Sequence, residues 1–315
     1  MIYAGVDLGG TNIAVGIVNE HGDILARTST PTRPERDYKE IAQDMLLCIY
    51  KTLKECGRDA NDLESVGVGI PGIANPKDGT IIYCTNLGWR DVPLNKELQK
   101  YLPKPVFIDN DATVAGYAES ISGISKGCDS SVFITLGTGV GAGIVIHGRP
   151  WSGFHGVGSE LGHITVAMDG VPCTCGNNGC LERYCSATAI IRMARQEVLS
   201  YPESQMLSLV NGDPEQISAR TVFDAAKNGD KAAVRIYQRY VNYLAIGINN
   251  VISFLDPEMI VIGGGVSAAG SFLLDGIREC LPRYLMYKTV ANPRIELATL
   301  GNEAGIIGAA LLGKV

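Results

Sequence analysis

A duplicated α/β architecture with two related domains is expected from three features of the chain. It has 315 residues, room for two domains of ~100–200 residues, each with its own core. Short apolar runs ending in glycine turns alternate with longer stretches at helical spacing. One strand–turn–strand unit also occurs twice, half a chain apart.

The first element is the apolar run Ile2–Val6, followed by the turn Asp7-Leu8-Gly9-Gly10-Thr11-Asn12 and a second run, Ile13–Val18. Asn19-Glu20-His21-Gly22 is the next turn, with Asp23–Arg27 beyond it, so the chain opens as a β-meander. Ile41, Met45, Cys48, Ile49 and Leu53 recur at helical spacing and predict a helix over Tyr38–Glu55. Ser65–Ile70 and Pro105–Asp109 read as buried strands, and Ala112–Ser120 as a helix. Thr135-Leu136-Gly137-Thr138-Gly139 then repeats Asp7-Leu8-Gly9-Gly10-Thr11 at an offset of 128, and Gly143-Ile144-Val145 repeats Gly16-Ile17-Val18 at 127. Chance similarity of two glycine-rich hairpins is the alternative to duplication. Helices are expected over Ala187–Leu199, Ala232–Phe254, Phe272–Cys280 and Ala304–Leu312. A strand is expected at Met259–Ile262, leading into the turn Gly263-Gly264-Gly265. No low-complexity linker separates these elements, so a domain boundary is a hinge.

Charge and apolar run length exclude other classes. Lys and Arg number 27 against 33 Asp and Glu, a net charge of −6, which argues against nucleic acid as a partner. No apolar run approaches the ~20 residues that span a bilayer, and the N-terminus lacks the basic region of a signal peptide. A cytoplasmic protein with no membrane partner is expected, and its nine Cys stay reduced there, so metal binding is weighed before disulfides.

Four groups of residues carry candidate chemistry. The turns at Gly9–Asn12 and Gly137–Gly139 set a hydroxyl beside glycine, as backbone that approaches a phosphate requires; each is equally a plain hairpin turn. There is no Walker A motif, and Gly263–Gly270 does not fit the dinucleotide fingerprint. Asp109-Asn110-Asp111 ends a strand where a helix begins, so Asp111 either takes a proton from a substrate hydroxyl or simply caps the helix. His163, Cys173, Cys175 and Cys180 lie within 18 residues and could close a tetrahedral structural zinc site. Free buried thiols or a redox pair are the other readings, and both suit the Gly176-Asn177-Asn178-Gly179 loop poorly. Glu160 and Glu182 flank this loop and, with His163, suit the hydroxyls of a polyol.

Taken together, the motifs resemble the ROK family, and within it the bacterial glucokinases, along nearly the whole chain. They are Gly5–Thr11, Gly69-Ile70-Pro71-Gly72, Asn86-Leu87-Gly88-Trp89, Asn110-Asp111, Leu136–Gly141, Glu160-Leu161-Gly162-His163, and Cys173-Thr174-Cys175-Gly176 with Gly179-Cys180-Leu181-Glu182. The stretch from Asn75-Pro76-Lys77-Asp78-Gly79 to Trp89 looks most like the glucokinases.

The resemblance implies the duplicated actin-like/sugar-kinase (ribonuclease H-like) fold, two α/β domains around a central cleft. A small domain of residues 1–112 and 301–315 and a larger one of residues 113–300 carrying the zinc loop are expected. The resemblance places ATP and Mg²⁺ on Asp7, Gly9, Gly10, Thr11, Asn12, Gly137, Thr138 and Gly139, with Gly263, Gly264 and Gly265 near the adenosine. It makes Asp111 the general base and gives sugar contacts to Pro71, Gly72, Asn86, Asn110, Asp111, Glu160, His163 and Glu182. His163, Cys173, Cys175 and Cys180 become ligands of a structural Zn²⁺, and at none of these positions does the sequence depart from the family pattern. The expected reaction is ATP-dependent phosphorylation of the 6-hydroxyl of glucose by a homodimer or homotetramer. Kinases for N-acetylmannosamine, N-acetylglucosamine or fructose are the alternatives. The family's repressors carry a DNA-binding domain before the first strand, and here that strand begins at Ile2, so a sugar-sensing regulator is the weaker reading.

Overall fold

The apolar run at the N-terminus forms β1 (Ile2–Leu8), which turns back through β2 (Asn12–Asn19) into β3 (Ile24–Pro31), the expected meander. β1 runs two residues past the expected end at Val6, because Leu8 is fully buried and pairs with Ile13. Asp7 therefore sits on a strand, and the turn shrinks to Gly9–Thr11. The computed structural model describes residues 1–75 and 77–314. Pro76, within the Asn75–Gly79 stretch, lies outside the described residues, as does Val315, the last residue of the expected C-terminal segment.

Helix α1 (Tyr38–Glu55) starts at Asp37, whose side chain caps it in a reciprocal box with Glu40. β4 (Leu63–Ile70), the short strands β5 (Ile73–Ala74), β6 (Ile81–Cys84) and β7 (Trp89–Val92), α2 (Leu94–Gln99), β8 (Val106–Asn110) and α3 (Asp111–Ser122) follow. The second repeat gives β9 (Ser130–Leu136), β10 (Val140–Ile146) and β11 (Arg149–Pro150). Beyond them come α4 (Glu182–Cys185), α5 (Ala187–Ser200), α6 (Gln205–Ser208), α7 (Ala219–Lys227) and α8 (Lys231–Leu255). The chain closes with β12 (Met259–Gly263), α9 (Ser271–Cys280), β13 (Arg294–Leu297) and α10 (Ala304–Leu311).

The two large sheets match position by position, in the orders β3-β2-β1-β4-β8 and β11-β10-β9-β12-β13. In the first, the meander is antiparallel and β4 and β8 join β1 in parallel. In the second, β10 and β11 are antiparallel and β12 and β13 parallel. A shared order, with an antiparallel pair at one edge and a parallel pair at the other in both sheets, is the mark of duplication rather than of two chance hairpins. A third, small sheet holds β5, β6 and β7.

The chain divides into two compact units. One comprises Met1–Phe133, Gly143–Ser159 and Thr299–Val315, the other Ile134–Ala142 and Glu160–Ala298. The 112/113 boundary expected from the sequence falls inside α3, all of which belongs to the first unit.

In the first unit, Val6, Leu8, Val15, Ile17, Val68 and Ile70 of the sheet pack with the Ile41–Met45–Ile49–Leu53 stripe of α1. A second cluster joins Tyr3 and Val18 to Val114 and Tyr117 of α3 and to Ile306, Ile307 and Ala310 of α10. Residues 299–300 are tied to the end of α3 by the fully buried Glu119 carboxylate. It accepts N–H bonds from Ile124, Thr299 and Leu300 and the Thr299 hydroxyl, all at 2.9–3.1 Å, so a buried charge has the partners it needs. In the second unit, Leu244 and Ile248 of α8 are fully buried, and Phe223 of α7 packs edge-on to Tyr240. No described helix is long and apolar enough to cross a membrane.

Candidate active site

In the first unit the candidate residues gather where β1, β4 and β8 end. α3 begins at Asp111, and its cap is Asn110, not Asp111. The Asn110 side-chain oxygen accepts the N–H groups of Ala112 at 2.9 Å and Thr113 at 3.3 Å, and its amide donates to the Gly72 carbonyl at 3.1 Å. Asn110 thereby starts the helix and fixes the Pro71-Gly72 turn. Asp111 is left at the first helical position with its carboxylate exposed, one oxygen 2.8 Å from the Ala112 N–H.

The Gly9–Thr11 turn is closed by a Gly9 N–H to Asn12 carbonyl bond of 2.9 Å and braced by the Thr32 hydroxyl on the Gly9 carbonyl at 2.7 Å. A side chain at Gly10 would meet Asn86 at 3.5 Å, so these two candidates are neighbours. Burial raises the Asp7 carboxyl above the usual carboxylate range, and no described residue pairs with it. A withdrawn carboxylate with no protein partner suits a divalent cation.

In the second unit the Gly137–Gly139 turn is closed by a Gly137 N–H to Gly139 carbonyl bond of 3.0 Å. Three more bonds hold it from the Glu182–Thr188 segment. Glu182 accepts the Val140 N–H at 3.0 Å, the Ala187 N–H donates to the Gly137 carbonyl at 2.7 Å, and the Thr188 hydroxyl donates to the Thr138 carbonyl at 2.8 Å. Any side chain at position 139 would strike the Glu182 carboxylate. Gly264, at φ +81°, lies against the backbone of Leu136, where a side chain would come within 2.6 Å. The structure thus brings Gly137–Gly139, Gly263–Gly265 and Glu182 together, and Gly162, next to His163 in the chain, packs on the Val140 carbonyl.

His163, Cys173, Cys175 and Cys180 place one donor atom each within 4.8 Å of all the others. The Cys173 sulfur is 3.7 Å from His163 Nδ1, and the Cys175 and Cys180 sulfurs are 3.5 Å apart. Two sulfurs bound tetrahedrally to zinc at ~2.3 Å lie about 3.8 Å apart, so both distances and donor types fit that ion. Burial, with the neighbouring Cys175 and Cys173 thiols, pushes the Cys180 thiol up to about 12, whereas the Asn177 N–H pulls the Cys175 thiol down. His163 turns Nδ1 to the sulfurs and Nε2 toward Glu160, 3.9 Å away. Cys185 is fully buried and outside the cluster.

Sequence reasoning missed the braces. Asp109, half-buried, takes the Ser152 hydroxyl on both carboxylate oxygens at 3.0 and 2.8 Å, and burial raises its pKa. Ser152 lies 43 residues away with no local signal. Thr188 reads as an ordinary first-turn helix residue, and only the fold sets it against Thr138.

The ROK family pattern matches residues 3–315. The chain is 39% identical over 313 residues to the glucokinase of Halalkalibacterium halodurans, covering 99% of this chain and 94% of that one. It is also 39% identical to the glucokinase of Thermotoga maritima, over 98% and 96% of the two chains. The crystal structure of a ROK family glucokinase from Streptomyces griseus in complex with glucose and AMPPNP superposes with a TM-score of 0.83 at 35% identity. That superposition covers 100% of this chain and 99% of the other.

Proposed function

The chain belongs to the ROK family, and from that premise we propose that it transfers the γ-phosphoryl group of ATP to the 6-hydroxyl of glucose. Its two matching sheets are the duplicated actin-like/sugar-kinase fold. The observation that carries the reading is the capping of α3 by Asn110, which leaves Asp111 as an exposed carboxylate at a helix start.

Asp111 accepts the proton of the sugar 6-hydroxyl as that oxygen attacks the γ-phosphorus and the bond to ADP breaks, a contribution of ~10²–10⁴-fold. Asn110 positions Asp111 and the Pro71-Gly72 turn. Glu160, Glu182 and the Nε2 side of His163 take sugar hydroxyls, and Asn86 offers a further sugar contact. The turns at Gly9–Asn12 and Gly137–Gly139 offer backbone N–H groups to the phosphates, and Gly263–Gly265 faces the adenosine. Mg²⁺, held through Asp7, would supply charge neutralisation on the phosphates. Zn²⁺ on His163, Cys173, Cys175 and Cys180 would fix the tautomer and orientation of His163, and with four protein ligands it would have a structural rather than a catalytic role.

Carboxylates accept hydrogen bonds and donate none. Glu160 and Glu182 therefore favour a sugar with hydroxyls over one with an acetamido carbonyl, and a pocket left with unpaired carboxylates rejects the analogue. ADP release measured with glucose, N-acetylglucosamine, N-acetylmannosamine and fructose tests this. Glucose should have the highest kcat/KM. A higher value for either N-acetyl sugar leaves a kinase and refutes the glucose assignment.

A further inference from the structure

Three arginines converge around α4, and none of them is a residue assigned above to sugar, phosphate or metal, although Arg183 directly follows Glu182. The Arg192 guanidinium donates to the backbone carbonyl of Arg183 at 2.6 Å. The Arg239 guanidinium lies 6.0 and 5.9 Å from the ring centroids of Tyr184 and Tyr243, which are themselves stacked at 4.0 Å. Among the described residues no carboxylate pairs with any of the three. Their neighbours on the same helices behave differently: Arg195 on α5 pairs with Glu215 at 2.6 Å, and Arg235 on α8 pairs with Glu197 at 2.7 Å.

The lack of compensation is costly. Arg183 is half-buried and its Nε has no acceptor; Arg195 Nε is likewise without one, but the Arg195 charge is met by Glu215, whereas no carboxylate meets Arg183. Burial, followed by Arg183 and then Arg239, lowers the pKa of Arg192, the direction that like charges impose. The two tyrosine rings steady Arg239 without neutralising it.

We propose that Arg183, Arg192 and Arg239 form a binding site for a small phosphate-bearing dianion, either inorganic phosphate or a sugar phosphate ester. Guanidinium forks match phosphate oxygens two at a time. Arg183 and Arg192 are both partly withdrawn from solvent, which favours a small occupant over a flat acidic protein face. The site stands independently of the reaction proposed above.

The test is calorimetric titration of the full chain with inorganic phosphate and, separately, with glucose 6-phosphate. Glucose, Mg²⁺ and a non-hydrolysable ATP analogue are kept saturating, so that the phosphate turns are already occupied. One anion should bind per chain, and Arg239→Gln, at an exposed position, should weaken it about tenfold or more, whereas Arg235→Gln should not. Binding of inorganic phosphate makes the free ion sufficient; binding of glucose 6-phosphate alone makes the ester the occupant. Binding of neither anion, or equal binding by the parent and Arg239→Gln, overturns the site.

Discussion

The carboxylate of Glu182 accepts the backbone N–H of Val140 at 3.0 Å, so a residue two positions past the Cys180 thiol fastens the Gly137–Gly139 turn. One side chain thereby serves the turn assigned to phosphate and stands in the segment assigned to the sugar. The two duties separate by substitution. Glu182→Gln keeps an oxygen for Val140 but loses the charge, so the KM for glucose should rise ~10–100-fold while the KM for ATP stays near the parent value. Glu182→Ala removes both bonds and should raise both constants. Parallel changes in the two variants would refute the division.

The metal cluster gives a second expectation. The purified protein should hold one zinc per chain, and Cys175→Ser should lose it together with glucose affinity and some thermal stability. Active protein free of zinc on metal analysis would contradict the assignment. A Cys175→Ser variant with unchanged zinc and glucose affinity would contradict the coupling of metal to sugar.

Asp7 links pH to stability. Its pKa is raised in the folded chain by burial, so the native state holds that proton more tightly than the unfolded chain does. Stability from this group is intact below the unfolded value of ~3.9 and falls as the pH rises through the folded value. Asp7→Asn should therefore melt higher than the parent at neutral pH, with a flatter pH dependence, while phosphoryl transfer collapses for want of a cation ligand. A lower melting temperature at neutral pH would show that the buried carboxylate is not under strain.

Much of this architecture is legible in the residue pattern, and the unread parts have physical causes. Helix α1 spans the predicted Tyr38–Glu55 because its apolar stripe is unbroken over five turns and an acidic cap precedes it. The opening meander follows from glycine turns between apolar runs, and the four candidate metal ligands stand out by type and by lying within 18 residues. β5 and β11 have two residues each, too few for a periodic signal. The sequence offers Asp111 as a possible cap of α3, but Asn110 is an equally good capping residue, and the backbone geometry gives it that role. The braces Ser152 and Thr188 join residues 43 and 50 positions apart, which no local pattern encodes.

The most direct measurement is the turnover of Asp111→Asn with saturating ATP and glucose, beside glucose affinity measured independently. The amide keeps the shape and the Ala112 contact of Asp111 but cannot take a proton. Turnover should fall at least ~10²-fold with the fold and glucose affinity nearly unchanged. A variant that retains more than about a tenth of the parent kcat would contradict the role of Asp111 as the base.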